Sequence, residues 1–342
     1  MNYRLLGKSG LRVSEVCLGA MGFGEEWGYG ANREESRKIY DAFLDLGGNF
    51  IDTANIYTKG TSESFLGEFI QEKRKRVVLA TKYTISTQKD DPNACGNHRK
   101  NMVQSLEESL RRLKTDYVDL FYVHAWDFFT PVDEVMRGLD DLVRSGKVLY
   151  LGISDTPAWI VSQCNTLAEL RGWSNFVSLQ SEYSLLERTP ERDLLPMAKA
   201  FDIALTAWAP LAGGVLTGKY DRGGKAKDSK RAPGEKRLTE HSLGIADVVK
   251  EISGNLGCPA SHVALAWLMQ QNQVVIPIFG VRTLAQLQEN MGAAGLRLSA
   301  DDFEKLNRKS KIDLGFPHEF LAQEHIRKVV FGEMHPKIIN HR

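Results

Sequence analysis

The stretch Asn49-Phe50-Ile51-Asp52-Thr53-Ala54-Asn55-Ile56-Tyr57 runs from apolar residues into an acid, Asp52, and sets a phenol, Tyr57, five positions later. That is the layout of a buried strand closed by a carboxylate, with the phenol in the loop that leaves it. Two later runs repeat it: Val77 to Ala80 leads into Lys82, and Val118 to Val123 leads into His124. Singly, each residue has an ordinary explanation, as a turn or helix cap, a rim ion pair or a hydrogen-bonded strand-end histidine. Together a carboxylate, a phenol, an amine and an imidazole make a set for proton transfer, provided that the strand ends converge.

Working outward, β-prone runs recur near Val16, Asn49, Val77, Tyr117, Val148, Phe176, Ile203 and Val274. Segments of helical period separate them: Glu34 to Leu46, Ser62 to Gln71, Val103 to Leu113, Val132 to Ser145, Ile160 to Arg171 and Leu194 to Ala200. Eight strands alternating with helices predict a closed (β/α)8 TIM barrel, whose usual size includes 342 residues. Catalytic groups of such barrels gather at the C-terminal strand ends, where Asp52, Lys82 and His124 each close a different strand. The expectation is therefore one barrel domain over residues 1–342. Tyr3 to Val13 reads as an added hairpin around Lys8-Ser9-Gly10. Ser242 to Leu256 and Ser261 to Gln271 place an extra helix after the seventh strand, and helices over Leu284 to Ala294 and Asp301 to Ser310 follow the eighth, the second opened by Ser299 and Asp302 spaced as a capping box. The tail from Ile312 is expected to pack on the barrel, across its mouth or outside it.

Composition excludes several classes of partner. The apolar fraction is 42%, and 44 Lys and Arg against 43 Asp and Glu leave a formal charge of +1, which gives no reason to expect nucleic acid or anionic lipid. Cys17, Cys95, Cys164 and Cys258 are too far apart for a zinc spacing and read as reduced thiols, so no metal is expected. Met1 to Val16 is charged and lacks the apolar run of a signal peptide, and no long apolar stretch follows. The expectation is a cytoplasmic protein, monomeric or homo-oligomeric, acting on a small molecule.

The residues resemble an aldo-keto reductase in six ordered motifs: Phe50 to Tyr57, Leu79 to Lys82, Ser109 to His124, Gly146 to Ser154, Ala209 to Tyr220 and Gly280 to Asn290. Gly152 to Trp159 and the ending Asn340-His341-Arg342 are most similar to the aryl-alcohol-dehydrogenase-like branch. The resemblance implies a (β/α)8 barrel that binds NADPH without a Rossmann domain and reduces aldehydes and ketones, with a catalytic tetrad of Asp52, Tyr57, Lys82 and His124. Carbonyl reduction needs a hydride, which no side chain supplies, and a proton at the oxygen. Tyr57 would give the proton. Moving a phenol from pH ~10 to neutrality takes about 4 kcal/mol, and an ammonium ~4 Å away at an effective dielectric of ~20 supplies about that. Lys82 is therefore expected to pull the Tyr57 pKa down, with Asp52 keeping the ammonium charged. Neutral His124 would orient the carbonyl.

The resemblance also implies a cofactor site. Ser154, Asp155 and Gln180 match the residues that hold the nicotinamide carboxamide, and Trp208 matches the aromatic that stacks on the ring. Asp155 departs from the family's Asn, and a carboxylate cannot donate to the amide oxygen. Ala209, Pro210, Leu211, Gly213, Leu216 and Lys219 fall on a small-residue loop suited to a pyrophosphate. The segment from Lys219 to Arg237 carries eight basic and three acidic residues and could close over an anion. Gly22, Gly280, Arg282, Gln286, Glu289 and Asn290 complete the set, Arg282 as the 2′-phosphate reader that favours NADPH over NADH. Gly19 to Gly24 lacks the dinucleotide-fingerprint spacing and reads as a loop at the mouth. Met21, Trp27, Tyr29, Trp126, Phe128 and Phe129, just beyond strand ends, are expected to join Tyr57 and His124 in a pocket for aromatic or apolar carbonyls. Two other readings remain: a barrel lyase that forms a Schiff base on Lys82, and an NADPH-binding accessory subunit with little turnover.

Overall fold

A computed structural model describes residues 1–220 and 237–339. The basic segment lies outside the described residues apart from Lys219, Tyr220 and Arg237, as do Asn340, His341 and Arg342. Strands β1 (Tyr3–Leu5) and β2 (Arg12–Ser14) form an antiparallel hairpin. Strands β3 (Cys17–Gly19), β4 (Phe50–Asp52), β5 (Val78–Tyr83), β6 (Val118–Val123), β7 (Val148–Ser154), β8 (Phe176–Glu182), β9 (Ala204–Trp208) and β10 (Val275–Gly280) close in chain order into a parallel barrel, with β10 pairing back onto β3. The fold is a (β/α)8 TIM barrel.

Strand alternation divides the apolar residues between two cores. Phe50, Val78, Ala80, Leu120 and Tyr122 join a cluster inside the barrel. Ile51, Leu79, Phe121 and Val123 point outward and pack under the helices. Leu6 and Val13 belong to the inner cluster, so the hairpin plugs the bottom of the barrel. Its turn lies so close to the strand ends that a Cβ on Gly7, at φ 53°, would sit 2.4 Å from the Val177 carbonyl.

The helices α1 (Arg33–Asp45), α2 (Thr61–Phe69), α3 (Arg99–Leu113), α4 (Val132–Arg144), α5 (Ala158–Arg171) and α6 (Leu194–Ala200) follow strands β3 to β8 in turn. In α4, Val135, Met136, Leu139 and Leu142 make the buried stripe that faces the sheet. Helix α3 starts before its predicted Val103, because its polar first turn has no apolar period and is set instead by the His98 ring, which accepts from the Asn101 amide. The extra helix after β9 is present, as α7 (Glu240–Leu256) beside α8 (Ala260–Met269). Helices α9 (Leu284–Met291) and α10 (Ala300–Lys309) follow β10, and Ser299 caps α10 through the Asp302 amide.

The tail departs from its expected packing. It is tied to the barrel at Asp313, whose carbonyl accepts from the Arg192 guanidinium at 2.7 Å. Beyond it, α11 (His318–Ala322) and α12 (Glu324–Phe331) bury no residue, and Val329 is 80% exposed. Alternation of apolar and charged residues forms these helices without supplying a facing surface. No described helix is long and apolar enough to cross a membrane.

One packing constraint reaches the barrel centre. The Tyr122 hydroxyl bonds Ser178 Oγ at 2.7 Å and Thr206 Oγ1 at 3.2 Å, and its ring lies over Gly152, its register partner on β7. A Cβ on Gly152 would be 2.3 Å from that ring. Gly152→Ala is therefore expected to cost about 1–3 kcal/mol of unfolding free energy through overpacking, measured by urea denaturation; an unchanged midpoint would show that the ring moves freely.

Candidate active site

Three strand ends and one loop bring the sequence-predicted quartet together. Asp52 ends β4, Lys82 lies near the end of β5, and His124 follows β6. All three are buried, Lys82 with no solvent exposure at all. The Lys82 ammonium donates to Asp52 Oδ2 at 2.6 Å, to the Thr53 carbonyl at 2.8 Å and to Tyr57 Oη at 3.1 Å. Those are its three N–H bonds, all in use. The other carboxylate oxygen, Asp52 Oδ1, accepts from Gln180 Nε2 at 3.0 Å. Thr53 could not be found from sequence, because its contribution is a carbonyl aimed by the backbone.

Tyr57 is positioned by an irregular turn. Thr58 and Lys59 take φ of 46° and 55°, a left-handed conformation uncommon outside glycine. The turn is held by Thr58 Oγ1, which donates to the Phe23 carbonyl at 2.6 Å and accepts from the Ser62 amide at 3.1 Å. The phenol ring meets the His124 ring edge to face at 5.8 Å.

Burial decides the protonation of these groups. It pushes the Tyr57 hydroxyl up, and the opposing pull of Lys82 is too weak to reverse this. The expected descent of Tyr57 toward neutrality is thereby corrected: its net shift is upward, because desolvation outweighs an ammonium that is shared with Asp52. Burial also works to discharge Lys82, but Asp52 and Tyr57 outweigh it and the pKa rises. Burial, then the Lys82 charge, lowers His124 to about 3, so the ring is neutral. Its Nδ1 is buried with no hydrogen-bond partner among the described residues.

Of the predicted pocket walls, Trp27 packs edge to face on Tyr57 at 6.3 Å and lies 6.2 Å from Tyr29. Met21 is half-buried in the turn after β3, and Trp126 is buried in the outer core. Phe128 and Phe129 are exposed, Phe129 to 93%. Their turn is organised by Asp127, which sequence reasoning missed. Its carboxylate accepts from the backbone amides of Asn97, Phe129 and Thr130, and its own amide donates to Asn97 Oδ1 at 2.7 Å. An Asp two residues before such a turn is the available signal.

The profile of the Aldo/keto reductase family matches residues 15–311. The chain belongs to the aldo/keto reductase family. Membership places it among oxidoreductases of aldehyde and ketone carbonyls. It is 39% identical over 332 residues to norsolorinic acid reductase of Aspergillus flavus, covering 94% of this chain and 84% of that protein. Against the NADP(+) aryl-alcohol dehydrogenase of Phanerodontia chrysosporium it is 37% identical, covering 90% and 86%. Against a putative aryl-alcohol dehydrogenase of Saccharomyces cerevisiae it is 35% identical, covering 94% and 90%.

In this aldo/keto reductase the residues expected at a cofactor form an arc over the ends of β7 to β10. Ser154 and Gln180 are register partners, and Gln180 is bound to Asp52. Trp208 Nε1 donates to Asp155 Oδ1 at 3.2 Å. After Ala209 and Pro210, the turn from Leu211 holds Gly213 and Gly214 at φ of 67° and 93°. The Lys219 side chain lies over Gly214, where an added Cβ would be 2.7 Å from Nζ. Gly22 lies beside Val281 and Arg282, just past Gly280. Gln286 accepts from the Arg282 amide at 2.9 Å, while Arg282 Nη1 is buried without a partner. Leu216 packs in the outer core, Glu289 accepts from Ser261 at 2.7 Å, and Asn290 is buried on α9.

The depressed His124 pKa has a stability consequence of definite sign. Between about 3 and 6.5 the unfolded chain binds a proton at this position that the native protein does not, so stability falls as pH falls through that window. His124→Asn is expected to flatten the difference in unfolding free energy between pH 7 and pH 4.5 by about 2 kcal/mol relative to wild type. Parallel pH profiles for the two proteins would place the imidazole in a solvated setting.

Proposed function

We propose that this protein reduces aldehydes or ketones to alcohols with NADPH, Tyr57 giving the proton to the carbonyl oxygen. The observation that carries this is the third Lys82 bond. Lys82 donates to Tyr57 Oη, so the phenol's own hydrogen has no acceptor among the described residues and is available to a substrate. An upward-shifted phenol stays protonated at neutral pH, as a donor must. When the proton leaves, the phenolate forms 3.1 Å from the Lys82 ammonium, which stabilises it at that moment. His124 is neutral, and its one ring N–H would orient the carbonyl oxygen. Lys82 has no free lone pair and a raised pKa, which argues against a Schiff base on it.

The arc fits a nicotinamide dinucleotide phosphate. Arg282 Nη1 is an orphaned donor suited to a phosphate, and the turn from Leu211 to Lys219 offers glycine backbone under a lysine. Ser154, Asp155, Gln180 and Trp208 would hold the nicotinamide end. Gly22, Leu211, Gly213, Lys219, Gly280, Arg282 and Gln286 would hold the phosphates and adenosine. When bound, the reduced nicotinamide supplies the hydride. Trp27 beside Tyr57, with Tyr29 next to it, favours aromatic carbonyls, in keeping with two relatives whose names state aryl-alcohol dehydrogenase.

Tyr57→Phe is expected to lower reduction of an aryl aldehyde by about 10²–10⁴-fold while NADPH binding stays near wild type; near-normal NADPH oxidation in that variant would remove the phenol from its role. Arg282→Ala should weaken NADPH binding by about ten- to a hundredfold and leave NADH almost untouched. Equal losses for both nucleotides would show that Arg282 does not read the 2′-phosphate.

A further inference from the structure

Asp155 follows β7 and Trp208 ends β9, with the end of β8 between them. The Asp155 carboxylate accepts from the Trp208 indole at 3.2 Å, and its amide donates to the Gln180 carbonyl at 3.3 Å. Gln180 in turn donates to Asp52, so Asp155 is built onto the same frame as the Lys82 cluster. Its φ of 41° is a left-handed conformation that Asp and Asn both tolerate. Either residue would also offer the indole an acceptor. What distinguishes aspartate here is its charge.

Other acids on this rim have cationic partners: Glu182 pairs with Arg237, and Asp52 with Lys82. Among the described residues no cationic side chain pairs with Asp155, whose side-chain partners are neutral, the Trp208 indole and the Ser154 hydroxyl. Burial raises its carboxyl above the usual range, opposed by the Trp208 N–H and the Lys82 charge. A partly buried carboxylate without a counter-ion favours any ligand that brings a positive charge.

We infer that Asp155 sets the preference of this site between the redox forms of its cofactor, its carboxylate, which has no cationic partner among the described residues, favouring the positively charged oxidised nicotinamide over the neutral reduced one. The inference rests on the proposed function, in which this arc holds the nicotinamide. Because Asp155 binds the oxidised form better, it displaces the equilibrium on the protein toward alcohol and oxidised nucleotide.

Asp155→Asn removes the charge and keeps the acceptor for Trp208. The dissociation constants of NADP+ and NADPH, measured by titration calorimetry without substrate, are expected to show the ratio Kd(NADP+)/Kd(NADPH) rising about tenfold in the variant, with NADP+ carrying the change. A folding defect weakens both nucleotides together, so the ratio reports the charge. Trp208→Phe keeps the carboxylate and should hold the ratio within about threefold of wild type; a shift as large as that of Asp155→Asn would assign the effect to the indole instead. An unchanged ratio in Asp155→Asn overturns the inference and leaves NADPH binding standing. Failure of wild type to bind either nucleotide overturns both.

Discussion

An ammonium group with no solvent exposure persists in a folded protein only when its N–H groups all find oxygen, and Lys82 finds three. The rest of the site is arranged around that requirement. Asp52 must end β4 in register with Ala80, two residues short of Lys82, the Thr53 carbonyl must turn inward, and the loop carrying Tyr57 must fold back over the strand end. Removing one partner of a buried ion pair commonly costs about 3–5 kcal/mol. Gln180 adds a second restraint by holding the free oxygen of Asp52. The left-handed turn at Thr58 and Lys59 is tolerated because Thr58 is bonded on both sides.

Competition between burial and charge then sets what the site can do. A nearby ammonium is sufficient in magnitude to bring an exposed phenol toward neutrality, but burial raises the Tyr57 pKa, and Lys82 already neutralises Asp52. The outcome is an ion pair underneath and two neutral groups, Tyr57 and His124, facing the space above. That division suits a reaction in which charge appears on a carbonyl oxygen only as the proton is transferred.

The two sides of the mouth are built differently. On one, Trp27 packs against Tyr57 with Tyr29 beside it, and Asp127 ties its turn to Asn97 while Phe129 is exposed. On the other, Asp155 and Trp208 bridge two strand ends through a hydrogen bond. Aromatic surface thus lies beside the phenol, and a carboxylate with no cationic partner among the described residues lies on the opposite arc.

What the sequence by itself determined was periodic or local. The alternation of apolar runs with helical segments was enough for the barrel, since each strand must bury two faces and each helix one. Asp52, Lys82 and His124 were legible because strand ends in a barrel share one rim, whatever the loops do. Tertiary structure alone decided the features that depend on packing between distant segments. These include the Thr53 carbonyl under Lys82, the upward shift of Tyr57, the outward Phe129, the exposed tail and the indole bond to Asp155. Each of them rests on how far a group is removed from water and which neighbour it then meets, and a one-dimensional pattern carries neither quantity.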